Sequence, residues 1–255
     1  HGKDLVKASE KEMQKIRGNE ISMIFQDPMT SLNPVMTVRD QIMEVILQHN
    51  KLSKEEAVKK ADEMLELVGI PAARGREYPH QFSGGMKQRV IIAIALACQP
   101  KLLIADEPTT ALDVTTQAQV MEVLQSLVDK FGTSLLIVTH NLGLVTRYAD
   151  RIDVMYAGRI VESGTTEEII TKPRHPYTLG LLASVPLLEE TDGERLVPIE
   201  GAPPNLAKLP DYCSFYPRCP YACEKCKNKP VPELRKVGNT EHYVRCHLDI
   251  GGNAQ

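Results

Sequence analysis

The chain has 255 residues, with 30 basic and 33 acidic side chains and a formal net charge of −3. Hydrophobic residues make up 42% and charged residues 25%, a globular balance that excludes collagen-like, coiled-coil and wholly disordered chains. The near-neutral charge argues against a dedicated nucleic-acid-binding protein, which is usually strongly basic. No apolar run approaches the roughly 18 residues of a membrane-spanning helix. At about 150 residues per domain, we expect one large or two small domains.

Predicted helices and strands alternate along most of the chain. In chain order they are a short helix opened by a Ser9–Glu12 capping box, a strand at 21–25, a helix at 53–70 opened by a Ser53–Glu56 capping box, a helix at 86–98, a strand at 102–105, a helix at 114–131, a strand at 134–139, and two strands at 152–155 and 159–162. The apolar runs at 102–105 and 134–139 are typical of strands covered on both faces. Strand–helix–strand units of this size predict an α/β fold with a parallel sheet.

The composition of the sequence changes near residue 186. Proline and glycine recur at short intervals in the remainder, and long segments with helical or strand periodicity are no longer found. We therefore predict a domain boundary there. Five of the six cysteines lie beyond it, whereas Cys98 stands alone in an apolar run. No signal peptide opens the sequence, so we expect a cytosolic compartment, where a cysteine cluster favours a metal site over disulfides.

The strand at 102–105 is followed directly by two carboxylates, Asp106 and Glu107. Ligands of α/β proteins bind at the carboxyl ends of parallel strands. An aspartate at such an end can hold Mg²⁺, and an adjacent glutamate can orient or deprotonate an attacking water. The alternative is a strand that ends in a charged turn.

A serine and two glycines, Ser83, Gly84 and Gly85, precede the helix at 86–98. Glycines at a helix N-terminus let the backbone N–H groups approach an anion such as phosphate. The alternative is an N-cap serine followed by a flexible turn. Taken by itself, the tripeptide favours that alternative.

Five motifs nevertheless follow one another in an order that coincidence does not explain. They are Gln26, Ser83–Gly85, Asp106–Glu107, Asp113 and His140. In this order they resemble the Q-loop, the signature motif, the end of Walker B, the D-loop and the switch histidine of ABC transporter ATP-binding subunits. The sequence is similar to the ATPases of oligopeptide/dipeptide importers in the stretches FQDPMTSLNP (25–34), ADEPTTALD (105–113), HPYT (175–178) and GAPPNL (201–206), and in Met86.

The resemblance implies a P-loop NTPase-like ABC nucleotide-binding domain at residues 1–185. A helical and signature subdomain would occupy about 37–98, and a small Cys-rich C-terminal extension would occupy 186–255. The implied cofactors are ATP and Mg²⁺.

The resemblance also implies a role for each motif residue. Glu107 would be the general base, assisted by His140 at the γ-phosphate and the water. Gln26 and Asp106 would serve Mg²⁺, and Gln26 would couple nucleotide state to the membrane subunits. The remaining implied ATP-site residues are Ser83, Gly84, Gly85 and Asp113; Ser83 and Gly85 would close over ATP bound by an opposing ATPase subunit.

One motif of the family is missing. No G-x-x-x-x-G-K-[ST] loop occurs in the 255 residues, although the resemblance places it upstream of Gln26. Because Glu107 and His140 are present, we expect an N-terminally truncated chain rather than a degenerate enzyme. We expect these 255 residues alone neither to bind nor to hydrolyse ATP.

Four cysteines of the tail have the spacing Cys213-x₅-Cys219-x₆-Cys226-x₁₉-Cys246. Four thiolates suit tetrahedral Zn²⁺ or an iron–sulfur cluster, and the resemblance favours a [4Fe–4S] cluster. Cys223 is then spare, and His247 is an alternative ligand. Two other readings remain open: a radical-SAM-like Cys-x₃-Cys-x₂-Cys triplet at 219–226, and free thiols in a flexible tail.

The resemblance implies a subunit that powers peptide import at the cytoplasmic face of the membrane. Its partners would be two transmembrane permease subunits, a second and distinct ATPase subunit, and an external binding protein, with no nucleic acid. Two alternatives are a soluble ABC-type ATPase acting on ribosomes or DNA, and a non-catalytic metal-binding regulatory module.

Overall fold

The computed structural model describes residues 2, 4–26, 28–110, 112–184 and 198–250. They form two compact units, residues 1–140 and 141–255. The domain boundary predicted near residue 186 lies outside the described residues.

The units are built from short helices and strands. The helices are α1 Glu10–Ile16, α2 Pro28–Ser31, α3 Val38–His49, α4 Lys54–Leu67, α5 Gly84–Leu96, α6 Val114–Phe131, α7 Leu142–Tyr148, α8 Thr166–Thr171, α9 Pro176–Ala183 and α10 Glu224–Asn228. The strands are β1 Ile21–Ile24, β2 Leu102–Asp106, β3 Ser134–Val138, β4 Arg151–Tyr156, β5 Arg159–Thr165, β6 Arg235–Lys236 and β7 Tyr243–Val244.

The first unit contains a parallel three-stranded sheet in the order β1-β2-β3. Its central register pairs Ile24 with Ala105 and Ala105 with Ile137. The carboxyl ends of all three strands therefore lie at one edge of the sheet. This arrangement confirms the predicted α/β fold with parallel strands.

Both predicted capping boxes are present. Ser53 accepts a hydrogen bond from the Glu56 N–H at 3.2 Å, and the Glu56 carboxylate accepts one from the Ser53 N–H at 2.8 Å. Ser9 and Glu12 form the same arrangement at the start of α1. These bonds satisfy N–H groups that the first helical turn leaves without partners.

The two faces of the parallel sheet differ in burial. Ile24, Leu103 and Ala105 are fully buried on one face. On the other face, Leu136 and Val138 of β3 are 50% and 49% exposed. The expectation that both apolar strands are covered on both faces is therefore wrong for β3 among the described residues, because an apolar run alone does not show how many faces are covered.

Helices α3 and α4 pack as a pair within the region predicted to be helical. Val38, Ile42 and Ile46 are fully buried on α3, as are Ala57, Ala61 and Leu65 on α4. An ion pair between Arg39 Nε and Asp62 Oδ1, 2.6 Å long and largely buried, joins the two helices. The apolar stripes hold the pair together, and the ion pair fixes its register.

A buried amide ties α3 to the segment that leads into it. Gln41 is 7% exposed. Its Oε1 accepts from the Asn33 N–H at 2.9 Å, and its Nε2 donates to the carbonyls of Asn33 and Met36 at 3.0 and 3.2 Å. One side chain thus satisfies three backbone groups of the loop at 33–36.

The second unit contains an antiparallel sheet in the order β4-β5-β7-β6. Because β7 pairs with β5, through Glu162 opposite Val244, the Cys-rich segment and residues 151–165 share one sheet. Phe215 also packs in the same core as Ile152 and Val161. Residues on both sides of the predicted boundary therefore form one compact unit.

A buried carboxylate organises that unit. Glu162 is fully buried and accepts from His242 Nε2 at 2.7 Å, and from the N–H groups of Arg174 and His175 at 2.5 and 2.9 Å. A buried charge is stable only when paired and hydrogen-bonded. Glu162 therefore fixes β7 and the start of α9 to β5.

Helices in the described part of the chain are all too short or too polar to cross a membrane.

Replacing Gln41 with leucine tests the amide contact. We expect the free energy of unfolding to fall by about 1–3 kcal/mol, because three backbone groups near residues 33–36 lose their partner. Urea unfolding followed by circular dichroism measures the change. Gln48→Leu, at an exposed position of the same helix, is the control and should shift stability by about 0.5 kcal/mol or less. Equal effects of the two substitutions would contradict the assigned role of Gln41.

Candidate functional site

Three polar side chains meet at the carboxyl edge of the parallel sheet. Gln26 follows β1, Glu107 follows β2 directly, and His140 follows β3. Gln26 Nε2 donates to Glu107 Oε2 at 3.0 Å, and His140 Nδ1 lies 2.8 Å from Glu107 Oε1. The structure thus brings together the three residues predicted to be catalytic. Asp106, the last residue of β2, pairs with Val138 at the same edge.

The backbone at Glu107 is in the left-handed region, with a φ of 46°. Such a conformation costs about 1–3 kcal/mol in a non-glycine residue. The Glu107 N–H donates to the Val138 carbonyl at 2.8 Å, which holds the residue against β3. At this turn the chain leaves β2, and the Glu107 carboxylate lies beside the chain segments that follow β1 and β3.

Hydrogen bonds lower the pKa of Glu107 below its ordinary value. The contact with His140 contributes most, the Thr110 hydroxyl contributes next, and partial burial acts in the opposite direction. The carboxylate is therefore ionised at neutral pH. Since Nδ1 of His140 is the atom that bonds Glu107, the imidazole keeps Nε2 for another partner.

Thr110, which was not predicted as a site residue, donates to Glu107 Oε2 at 2.8 Å. A hydroxyl three residues after a carboxylate, in a turn that follows a strand, is the available signal. The Thr110 N–H also donates to the Glu107 carbonyl at 3.1 Å. The turn after β2 therefore supplies its own brace for the carboxylate.

Ser83, Gly84 and Gly85 lie at the N-terminus of α5, as predicted. Ser83 is the N-cap and accepts from the Met86 N–H at 3.4 Å. Its hydroxyl therefore caps the helix, which is the alternative to anion binding given above. At Gly85 an added Cβ would lie 2.4 Å from Cγ2 of Thr116. Close packing between α5 and α6 therefore requires glycine at this position, independently of any ligand.

Asp113 is the N-cap of α6. Its carboxylate accepts from the Thr116 N–H at 2.9 Å and from the Thr116 hydroxyl at 2.6 Å. These bonds lower the pKa of Asp113, with the hydroxyl contributing most. Thr116 touches both Gly85 and Asp113, so the signature turn and the predicted D-loop residue are packed together.

The four cysteines predicted as metal ligands line one pocket of the second unit. The lining includes Cys213, Cys219, Cys226, Cys246, His175 and His247. Burial raises the pKa of Cys219 to about 11 and also raises the pKa of Cys246 and Cys226. Thiols held this way stay protonated unless a cation in the pocket stabilises the thiolates.

His175, for which no role was predicted, is 1% exposed and lines the same pocket. Its Nδ1 accepts from the Tyr177 N–H at 3.1 Å, and burial lowers its pKa to about 4. The imidazole is therefore neutral. Within the described residues, no group of three or more His, Cys, Asp or Glu side chains is already arranged to hold a metal ion. The metal site stays a prediction.

Comparison with protein families matches two parts of the chain. Residues 1–110 match the ABC transporter family, and residues 161–226 match the family described as oligopeptide/dipeptide transporter, C-terminal region. Among solved structures, the chain is similar to the dimeric bacterial ABC transporter cassette MJ0796. The TM-score is 0.56 at 31% identity, over 64% of this chain and 69% of that one. This likeness supports the ABC cassette fold.

Curated relatives match nearly the whole chain. The oligopeptide transport ATP-binding protein OppD of Bacillus subtilis is 58% identical over 249 residues, which are 97% of this chain and 69% of that protein. The dipeptide transport ATP-binding protein DppD of the same organism is 52% identical, over 96% of this chain and 73% of that protein. The chain therefore belongs to the family of ATP-binding subunits of oligopeptide and dipeptide ABC transporters.

Proposed function

We propose that this chain supplies the catalytic edge and the signature motif of an ATPase that powers the import of di- and oligopeptides. Support comes from the relatives named for oligopeptide and dipeptide transport. The observation that carries the proposal is the convergence of Gln26, His140 and Thr110 on the Glu107 carboxylate.

In the proposed reaction, Glu107 accepts a proton from the water that attacks the γ-phosphoryl group of ATP. His140 orients the carboxylate by donating from Nδ1, and with both ring nitrogens protonated it would also donate from Nε2 to the phosphate. Asp106 and the Gln26 amide oxygen would provide ligands for Mg²⁺, which would supply positive charge beside the phosphates. Such catalysis is mainly positioning and electrostatic stabilisation, and an edge formed by three rigid strands suits both.

Ser83, Gly84 and Gly85 are proposed to bind ATP held by an opposing cassette, with Asp113 beside them. N–H groups at the start of a helix favour phosphate oxygens. The likeness to a dimeric cassette supports a site shared between two subunits. The partners proposed are two permease subunits, a second ATPase subunit and an external peptide-binding protein, with this chain at the cytoplasmic face of the membrane.

Hydrolysis requires a phosphate-binding loop, and none occurs in the 255 residues. We expect no ATP hydrolysis by these residues alone. We expect hydrolysis when a G-x-x-x-x-G-K-[ST] segment precedes them in an assembled transporter, measured as phosphate release. In that assembly Glu107→Gln should lower the rate about 10²- to 10⁴-fold, because the general base is lost. Retention of activity in that variant would exclude Glu107 as the base.

The shared hydrogen bonds of Glu107 predict how its pKa responds to substitution. His140→Ala and Thr110→Val should each raise the pKa of Glu107, because each removes a donor to the ionised carboxylate. Because these hydrogen bonds lower the pKa of Glu107 in the folded state, they stabilise the fold at pH values above the pKa of Glu107 in the unfolded state. That stabilisation is lost as the pH falls through the pKa of Glu107 in the folded state. Carbon-13 NMR titration measures the pKa. Thr115→Val, at an exposed position nearby, should leave it unchanged; an unchanged value in all three variants contradicts the hydrogen-bonded arrangement.

We also propose that Cys213, Cys219, Cys226 and Cys246 bind a metal centre. The supporting observation is that all four line one pocket. Each iron of a [4Fe–4S] cluster takes one thiolate, whereas zinc requires four sulfurs at about 2.3 Å from one centre. The resemblance of the tail to the importer family favours the cluster over zinc. The contribution of the cluster would be structural, since it would join four separate segments of the second unit.

Anaerobic purification tests the metal proposal. We expect iron, acid-labile sulfide and the broad visible absorption of an iron–sulfur cluster, all lost in Cys246→Ser. Cys98→Ser, in the other unit, is the control and should retain them. Zinc without iron would replace the cluster assignment by a zinc site, and the absence of both metals would refute the metal centre.

A further inference from the structure

Cys223 is not among the thiols that line the pocket, yet it contacts one of them. Its Sγ lies 3.6 Å from the Sγ of Cys226. Cys223 is the N-cap of α10 and Cys226 lies in its first turn. The Cys226 N–H donates to the Cys223 carbonyl at 2.9 Å, so the backbone turn that joins the two cysteines is closed.

This geometry suits a disulfide. Cys223 is the N-cap of α10, with an extended rather than helical backbone (φ −135°, ψ 169°), and its Sγ already lies 3.6 Å from that of Cys226. The sulfurs need only close from this contact to the disulfide bond length of about 2.05 Å. The two cysteines also differ in solvent exposure. Cys223 is partly exposed, whereas Cys226 is 7% exposed. An oxidant in solution therefore reaches Cys223 first and finds a second thiol in contact with it.

We propose that Cys223 and Cys226 form a peroxide-sensitive dithiol whose oxidation to a disulfide withdraws Cys226 from the four-thiol pocket. Hydrogen peroxide oxidises the Cys223 thiol to a sulfenic acid and releases one water. The Cys226 sulfur then attacks the sulfenic sulfur, which forms the S–S bond and releases a second water. The product is reversible by thiol–disulfide exchange.

Formation of the Cys223–Cys226 disulfide does not depend on a bound metal. Its effect on metal binding in the pocket rests on the metal centre proposed above. In the disulfide the Cys226 sulfur carries no negative charge and cannot act as a thiolate ligand. The pocket then offers three thiols in place of four. Oxidation would therefore lower metal occupancy in the second unit.

Peptide mapping tests the first part. The metal-free 255-residue chain is treated with hydrogen peroxide, its remaining thiols are alkylated, and it is digested with trypsin. Because Arg218, Lys225 and Lys227 are cleavage sites, the disulfide links peptide 219–225 to dipeptide 226–227. We expect this link in the original chain and in Cys219→Ser, its loss in Cys223→Ser, and its disappearance after dithiothreitol.

Fragment sequencing of the linked peptide distinguishes Cys219 from Cys223 even if a variant fails to fold. A link from Cys226 to any other cysteine, or no link while Cys226 remains alkylatable, overturns the dithiol. Cys98, in the first unit, serves as an internal measure of unspecific oxidation.

Zinc binding tests the second part, because Zn²⁺ is itself inert to peroxide. The metal-free chain is oxidised first, peroxide is removed with catalase, and Zn²⁺ retained after gel filtration is measured. We expect oxidation to abolish retention in the original chain but not in Cys223→Ser. Retention by the disulfide form refutes the withdrawal of Cys226. Failure of every reduced form to retain Zn²⁺ removes the effect on zinc but leaves the dithiol, tested by peptide mapping, unaffected.

Discussion

The parallel register of β1, β2 and β3 is the constraint on which the candidate site depends. Residues two positions beyond β1 and β3 reach the carboxylate at the end of β2 because the three strands end at one edge. A slip of one residue would exchange the faces of every side chain in a strand and would move the fully buried Ala105 to the exposed face. The same core that stabilises the sheet therefore sets the distances between Gln26, Glu107 and His140.

Glu107 shows how such an edge can hold a strained residue. Its left-handed backbone conformation is unfavourable in isolation. Pro108, the next residue, further restricts the backbone angles that Glu107 can adopt. Bonds from its N–H to β3 and from Thr110, Gln26 and His140 to its carboxylate offset that cost. His140 itself is 79% exposed, so water screens its hydrogen bond to Glu107.

Local signals in the sequence predicted local structure well. The capping boxes at Ser9 and Ser53 are encoded by residues three apart, and the spacing of motifs placed Gln26, Glu107 and His140 at strand ends. Contacts between distant segments carried no such signal. Gln41 reads as an ordinary polar helix residue, and the pairing of Glu162 with His242 spans 80 positions. Such contacts depend on how elements pack, which periodicity does not specify.

Pairing of Glu162 with His242 has consequences for the thiol pocket of the second unit. The carboxylate binds the N–H of His175, which lines that pocket, and the imidazole of His242, which immediately precedes β7. Cys246 follows β7 by two residues, so one buried pair fixes both a wall of the pocket and the approach of a thiol to it. Removing one partner of a buried pair costs far more than the pair contributes to stability. The buried hydrogen bond between Glu162 and His242 thus fixes the strand that leads to Cys246.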